Sequence, residues 1–413
     1  MDSRIADPAL APSGDRKIEW AWSAMPVLRH LEERYRRNRP LAGTVLSACL
    51  HLEAKTACLL LVLKELGASV FASGSNPLST QDDVCAALVR RGVSVFSRHG
   101  MDMAEYEGNL RRTLSAGPTI VVDDGADLVA MLHSEMRDEL PRVRGGSEET
   151  TSGVKRLRAM EREGVLAFPV IAVNDAKSKY LFDNRYGTGQ SVLDGLLRTT
   201  NLLIAGKTVV VVGYGWCGRG FAMRASGMGA RVAVVEVDPH RAFEAVMDGY
   251  DVLPMAEAAG RGDIFLTFTG NTRVIRREHF ERMKDGVLLG NAGHFDVEIC
   301  KSDLQGLSSS VEESRPGVTT YTLADGRRMH LLGEGRLVNL ACADGHPIEI
   351  MDLSFALQLE AAIYVANNAM EPGLHDVPPE IDRAVVEAKL ASLGLVIDRM
   401  TEEQEAYMRS WRE

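Results

Sequence analysis

The chain has 413 residues, 45% hydrophobic and 25% charged, an ordinary globular composition with room for two or three domains. A formal net charge of -10 and a pI near 5.6 leave no basic surface, which argues against nucleic acid and membranes as partners. The 6 cysteines are scattered without a C-x-x-C pair, so no disulfide framework and no metal site is expected, and a reduced, cytoplasmic protein is the simplest reading.

The first stretch, MDSRIADPALAPSGDRK, has no signal-peptide core and reads as a frayed leader. A helical opening follows over residues 19–40. Strand and helix then alternate: GTVLSACL is a strand, EAKTACLLLVLKELG a helix stopped by Gly67, and ASVFASG a strand. STQDDVCAALVRRG is a capped helix, and VSVFS, PTIVVDDG and FPVIAVND are further strands. Such alternation predicts a parallel sheet with helices on both faces. Polar residues repeatedly follow strand ends: His51, the run from Ser79 through Gln81, Asp123 with Asp124, and Asn174 with Asp175. Each is an acceptable helix cap or turn former alone. Four such ends together predict a shared cleft beyond the carboxyl ends of the strands.

A second α/β unit begins near NLLIAGKTVVVVGYGWCGRG and runs through ARVAVVEVDP, DIFLTFTGN, GVLLGNAGHF and RLVNLACADGHP. TTYTLADGRRMHLL reads as a hairpin turning at Asp325 and Gly326. A helix over 351–369, a Pro/Gly-rich stretch and a charged amphipathic helix close the chain. The buried strand feeding Gly213, Gly215 and Gly218 carries the G-x-G-x-x-G spacing, with a helix after it and Glu236 ending the next strand. Glycines here permit a tight turn and close approach to a pyrophosphate at a helix N-terminus, and the acid suits the ribose hydroxyls of NAD and repels a 2′-phosphate. The fold class is α/β: a Rossmann-type NAD domain, a second doubly wound α/β domain for substrate and a short C-terminal helical arm. A simple NAD-dependent dehydrogenase is the first functional reading.

Further motifs change it. GGSEETTSGVKRL places two acids before a Thr-Thr-Ser run, NDAKSKYLFDNRYG supplies Lys177, Lys179, Asp183 and Asn184, and GNAGHFDVEI sets His294 after a strand. With CLH, STQD, VVDDG and NLACADGHP, these stretches resemble the S-adenosylhomocysteine hydrolase family, in order, from about residue 20 to about residue 405. The resemblance implies a methyl-cycle hydrolase that keeps NAD bound. Members oxidise the ribose 3′-hydroxyl, remove the acidified C4′ proton, expel homocysteine from C5′, add water and reduce the ketone again. By the family pattern Lys179, with a lowered pKa and beside Asp183, is the general base for the 3′-hydroxyl, and Glu149 binds the ribose hydroxyls. His51, Asp124, Asn184 and His294 are implied in proton transfer at C4′ and C5′. Thr150, Thr151 and Ser152, with Arg241, Asn271, Ala292, Gly293, His294 and Asn339, are the implied cofactor contacts beyond the Gly-rich turn and Glu236. Glu53, Lys55, Thr56, Gln81, Asp344 and His346 are the implied substrate contacts. The family also implies a homotetramer.

The sequence departs from the common family pattern at four places. Glu53 and Lys55 stand where a threonine and a glutamate or glutamine usually read the purine. A lysine has no acceptor and cannot take an N–H from adenine's amino group, but it can donate to a carbonyl oxygen such as that of hypoxanthine. This pattern matches the archaeal and Thermotoga-like branch, in which some members act on S-inosylhomocysteine, so that substrate stands as the alternative. Asp344 replaces a common methionine, Thr188 replaces a common cysteine, and the end, EEQEAYMRSWRE, lacks the Lys- and Tyr-bearing tail that reaches a neighbouring cofactor site, which leads us to expect readier NAD exchange. The expected domains are 1–180 for substrate, 190–346 for NAD, 348–378 completing the substrate domain, and 379–413 as the arm.

Overall fold

In the computed structural model, which describes residues 3–411, the alternating strands resolve into two sheets. The strands of the amino-terminal half are β1 (Val45–Leu50), β2 (Ser69–Gly74), β3 (Ser94–Phe96), β4 (Ile120–Asp123), β5 (Gly145–Glu148) and β6 (Pro169–Ala172). There follow β7 (Thr208–Val212), β8 (Arg231–Val235), β9 (Asp251–Val252), β10 (Ile264–Thr267), β11 (Val287–Asn291), β12 (Ser308–Arg315), β13 (Val318–Leu323), β14 (Arg328–Leu332) and β15 (Gly373–Asp376). The first sheet has the order β15-β6-β5-β4-β1-β2-β3 and is parallel throughout. The second has the order β12-β13-β14-β11-β10-β7-β8-β9, antiparallel only where β13 meets β12 and β14. β13 and β14 form the hairpin expected at Asp325 and Gly326.

Both sheets are doubly wound, and the winding places the site. In the first sheet the chain moves one way from β1 and the other way from β4, so the crevice lies between these neighbours. In the second sheet the same reversal falls between β7 and β10. Ligands bind beyond the carboxyl ends of strands at such reversals. The strands are apolar because helices cover both faces. Leu46, Leu59, Val122 and Leu357 belong to one core of the first sheet, and Val121, Leu128 and Val170 to the core on its other face. Val211 and Leu266, against Val210 and Phe265, divide the second sheet in the same way. Each such side chain contributes about 1.5–3 kcal/mol when fully buried.

The leader is not frayed over the residues described. Helix Ala11–Ser23 carries Pro12 in its first turn and buries Ile18 and Ala21. Gly14 lies where a Cβ would collide with the Asp83 carbonyl, so the helix packs closely on helix Asp82–Arg90. Ser13 and Lys17 donate to Asp83 at 2.9 and 3.0 Å, and Arg91 donates to Asp15 at 2.7 Å. The proline and glycine that read as disorder are a helix start and a packing site.

After β6 the chain turns through Val173–Asp175 into Lys177–Lys179 and then a π-helix, Tyr180–Gly187. Such wide turns are rare and frequent at functional sites. Helix Thr188–Thr200 leads into β7, and helix Ile348–Asn367 returns to pack on the first sheet. That helix is apolar almost all round, as a buried helix must be, but Asp352, Ser354 and Gln358 lie fully buried on it. Helix Pro379–Ser392 docks through Asp382, which accepts from the Lys177 and Ser178 N–H groups at 2.9 Å, and through Lys389, 2.9 Å from Asp352. Helix Glu402–Arg409 buries none of its residues. All 6 cysteines are free thiols. Among the described residues no helix is long and apolar enough to cross a membrane.

Candidate active site

The carboxyl ends of the two sheets face one another across a cavity of about 300 Å³, within the size of small-molecule sites. His51, Asp124, Glu149, Lys179, Asp183, Asn184, His294 and His346 all line it, although they come from segments nearly 300 residues apart in sequence.

One wall holds a carboxylate between two imidazoles. Asp124 follows β4, and its Oδ2 lies 3.2 Å from Nε2 of His51, which follows β1. Its Oδ1 lies 3.5 Å from Nδ1 of His294, from the turn after β11. Ser75 donates to Asp124 at 3.1 Å, and Ser79 Oγ is 2.6 Å from His51 Nδ1. Burial lowers the His51 pKa, with Asp124 opposing, so the imidazole is neutral near pH 7. One imidazole nitrogen of each histidine and a carboxylate oxygen of Asp124 lie within 4.8 Å of one another, so the three groups converge on one part of the cavity.

The opposite wall is built on Lys179. Its Nζ donates to Asn184 Oδ1 at 2.8 Å and lies 3.5 Å from Glu149 and 3.4 Å from Asp183. Burial is the largest influence and lowers the Lys179 pKa, but Asp183 and Glu149 together outweigh it and hold the ammonium above its ordinary value. The lowered pKa expected from sequence is therefore corrected: the lysine sits between two carboxylates, which favour its charged form. Burial opposes ionisation of Asp183, yet Lys179, His346 and Ser354 pull its carboxyl well below the usual range. Burial pushes Glu149 up to about 7 against the pull of Lys179. Asn184 Nδ2 and Thr151 Oγ1 both donate to Asn174 Oδ1 at 3.1 Å, tying this wall to the helix after β5.

At the far end Glu53 caps helix Ala54–Glu65, accepting from the Lys55 and Thr56 N–H groups. The Lys55 Nζ pairs with Glu53 at 2.6 Å and donates to the Asp344 carbonyl at 2.8 Å. Glu53, Lys55 and Thr56 line the cavity. Two expected substrate contacts do not. The Asp344 carboxylate turns outward to Arg198 at 2.7 Å, leaving only its backbone oxygen toward Lys55. Gln81 instead precedes helix Asp82–Arg90 and accepts from Lys17 at 3.1 Å. His346 lies 2.7 Å from Asp183 and 3.2 Å from the Thr188 hydroxyl.

The cofactor side is shaped for close approach. Gly213 has φ +96°, and a Cβ on Gly218 would collide with the Gly213 carbonyl, so neither position accepts a side chain without strain. Gly215, Arg241, Ala292, Gly293, Asn339 and the Thr150-Thr151-Ser152 run line the cavity. Buried Asn339 Oδ1 has no hydrogen-bond partner among the described residues, which fits an amide N–H donor such as that of nicotinamide. Glu236 directly follows β8 and accepts from the Tyr214 N–H at 2.7 Å, so the expected ribose acid stands beside the Gly-rich turn. These residues fit NAD. Asn271 is exposed and outside the cavity; Thr269 and Gly270 line it instead, their N–H groups held by Glu298 at 3.0 and 2.8 Å.

Sequence reasoning missed the supporting shell. Ser354 donates to Asp183 and Gln358 to Glu149, each at 2.5 Å, from one face of helix Ile348–Asn367. Polar residues four apart in an otherwise apolar helix were the available signal. Trp216, in the Gly-rich turn, stacks on Tyr180 with centroids 5.2 Å apart.

A dinucleotide-binding sheet facing a second parallel sheet across an ionisable cleft defines the class: an NAD-dependent enzyme of a small molecule. The profile of "S-adenosyl-L-homocysteine hydrolase" matches residues 2–142, and that of its NAD-binding domain matches 184–345. The chain belongs to the S-adenosyl-L-homocysteine hydrolase family. It is 58% identical over 412 residues to an adenosylhomocysteinase of Thermococcus kodakarensis, covering 99% of this chain and 98% of that one. It is 57% identical over 413 residues to an adenosylhomocysteinase of Pyrococcus abyssi, covering 100% and 98%. It is also 58% identical over 412 residues to an S-inosyl-L-homocysteine hydrolase of Methanopyrus kandleri, covering 99% and 97%.

Proposed function

We propose that the protein catalyses reversible hydrolysis of S-adenosyl-L-homocysteine to adenosine and L-homocysteine with a retained NAD. The observation that carries this reading is the pair of facing walls: an ammonium between two acids on one side, a carboxylate between two imidazoles on the other. A thioether at a primary carbon does not hydrolyse readily. A ketone at C3′ makes the C4′ proton acidic and the thiolate at C5′ a leaving group. NAD, when bound, supplies the two-electron oxidation of C3′ and its later reversal.

The chain's own residues move the protons. Glu149 and Lys179 address the ribose hydroxyls, and since Lys179 is held protonated, it accepts the 3′-hydroxyl proton only by yielding its own to Glu149, 3.5 Å away. Asp183, Ser354 and His346 hold Lys179 in place. Asp124, His51 and His294 take the C4′ proton, protonate the leaving sulfur and later deprotonate water. Closure about the segments near 180–190 and 345–350 excludes bulk water. The supporting experiment is product analysis: adenosine and homocysteine should form in equal amounts while added NAD is not consumed. Net accumulation of reduced nicotinamide would instead make the protein a simple dehydrogenase.

A pH dependence follows. Glu149 changes charge at about 7, and the relay needs its carboxylate. The rate of 3′-oxidation is expected to rise as pH increases through about 7. Glu149→Gln should remove that limb from the pH profile of the first partial reaction.

A second reading, S-inosyl-L-homocysteine as preferred substrate, is favoured by one observation. Glu53 already accepts from Lys55 N, Lys55 Nζ, Thr56 N and Thr56 Oγ1, which fills a carboxylate's acceptor capacity. Lys55 Nζ has two of its three protons engaged and keeps one for the cavity. A purine 6-oxo group satisfies that proton, and a 6-amino group does not. A buried donor without a partner costs about 1–3 kcal/mol, roughly tenfold or more in preference. Lys55→Gln, which both donates and accepts, should shift the inosyl-to-adenosyl ratio of kcat/KM toward adenosyl by about tenfold. An unchanged ratio means this lysine does not read the base.

The same reading carries a cytoplasmic homotetramer with substrate, NAD and arm regions at the bounds given above. Exposed Leu395, Val396, Ile397 and Met400 in the arm support burial between copies.

A further inference from the structure

We propose that Glu148, which is distinct from the substrate-facing Glu149, is the positioning residue for the proton-transfer wall. The inference rests on the hydrolase reading above and adds a residue to it. Glu148 ends β5, directly paired with Asp123 at the end of β4, and is fully buried. Its Oε1 accepts from the Gly125 N–H at 2.8 Å and from the N–H and hydroxyl of Thr150 at 2.9 Å each. Its Oε2 accepts from the Ala126 N–H at 2.9 Å. One carboxylate thus holds the backbone on both sides of the site.

The side toward Asp124 is the strained one. Gly125 and Ala126 are consecutive left-handed residues, with φ +98° and +61°. Left-handed alanine is unfavourable and persists only where its surroundings fix it. A Cβ on Gly125 would collide with the His294 ring, so this turn also seats the imidazole that faces Asp124. The turn therefore sets both the carboxylate of Asp124 and the place of His294; Glu148 holds its two N–H groups, while Arg156 donates to the Gly125 carbonyl at 2.6 Å. On the other side Thr150 caps helix Thr151–Arg162, which has its own support in the Thr150 Oγ1 contact to the Gly153 N–H at 3.3 Å.

Glu148→Gln replaces one acceptor oxygen with an NH₂ group. The amide keeps most bonds by turning its oxygen toward Gly125 and Thr150 and its NH₂ toward Ala126, where donor then faces donor. The left-handed turn loosens while the Thr150 side holds. Two partial reactions separate the effects: reduction of bound NAD on mixing with adenosine, and exchange of the C4′ hydrogen with heavy water. We expect C4′ exchange to fall at least tenfold in Glu148→Gln while NAD reduction stays within about threefold of wild type and NAD content is unchanged.

Gly153→Ala is the second variant. Its methyl would fall on the Glu148 carboxylate and displace it without altering charge, and thermal unfolding with NAD content reports that the variant is folded. It should produce the same split. A purely structural role lowers both partial reactions by one common factor or lowers NAD content, and either outcome in both variants overturns the assignment, as does wild-type C4′ exchange in both. Absence of both partial reactions in the wild type would instead overturn the hydrolase reading itself.

Discussion

Lys179→Ala is expected to lower turnover by about 10³-fold while the purified variant still carries NAD. The polar contacts of the lysine go to Glu149, Asp183 and Asn184, none of which belongs to the Gly-rich turn, so the variant is expected to retain the cofactor. The loss should fall on the first step. Without the ammonium, the 3′-hydroxyl proton has no relay to Glu149, and no reduced nicotinamide should appear on mixing with adenosine. The variant also leaves two buried carboxylates facing one another. Removing one partner of a buried pair typically costs about 3–5 kcal/mol, but Glu149 already sits at about 7 and lessens the cost by taking up a proton. Thermal unfolding and NAD release by acid distinguish a chemical loss from a folded-state loss. Turnover within a few fold of wild type would mean that Lys179 is not in the proton path.

Asp124→Asn should show the opposite division. The shape is kept, but the charge between His51 and His294 is gone, and the amide presents a donor to one of the two imidazoles while its oxygen still faces the other. Reduction of bound NAD by adenosine is expected to persist, because the Lys179 wall is untouched. Exchange of the C4′ hydrogen with solvent is expected to fall by about 10²- to 10³-fold, the range of a lost acid–base group. Mass spectrometry of adenosine recovered from heavy water checks this. Loss of NAD reduction in parallel would contradict the assignment of the two walls to two steps.

Much of this arrangement is legible in the chain. The apolar strands and capped helices announce two doubly wound units, and the order of strand ends puts His51, Asp124 and Asn174 at one edge before any coordinate is known. The misses have physical causes. β5 reads Gly-Gly-Ser-Glu and β15 Gly-Leu-His-Asp, segments without β-branched residues that become strands only because the sheet offers them a partner. Ser354 and Gln358 reach Asp183 and Glu149 across separations of 171 and 209 residues, which no local pattern encodes. Gln81 and Asp344 lie near the right segments, but Lys17 and Arg198 draw their side chains to exposed partners away from the cavity. The direction of the Lys179 pKa depends on how many acids fold around it. The motif places Asp183 beside the lysine but not Glu149, which comes to it from another segment.

The central claim is that oxidation and reduction occur on one nucleoside within one turnover. Rapid mixing of NAD-loaded wild-type protein with adenosine, followed in the near-ultraviolet band of reduced nicotinamide, tests it most directly. The account predicts absorbance that rises to a substoichiometric level and falls when homocysteine completes the synthesis of the thioether. A flat trace, or absorbance that climbs steadily past one equivalent with added NAD, would contradict it.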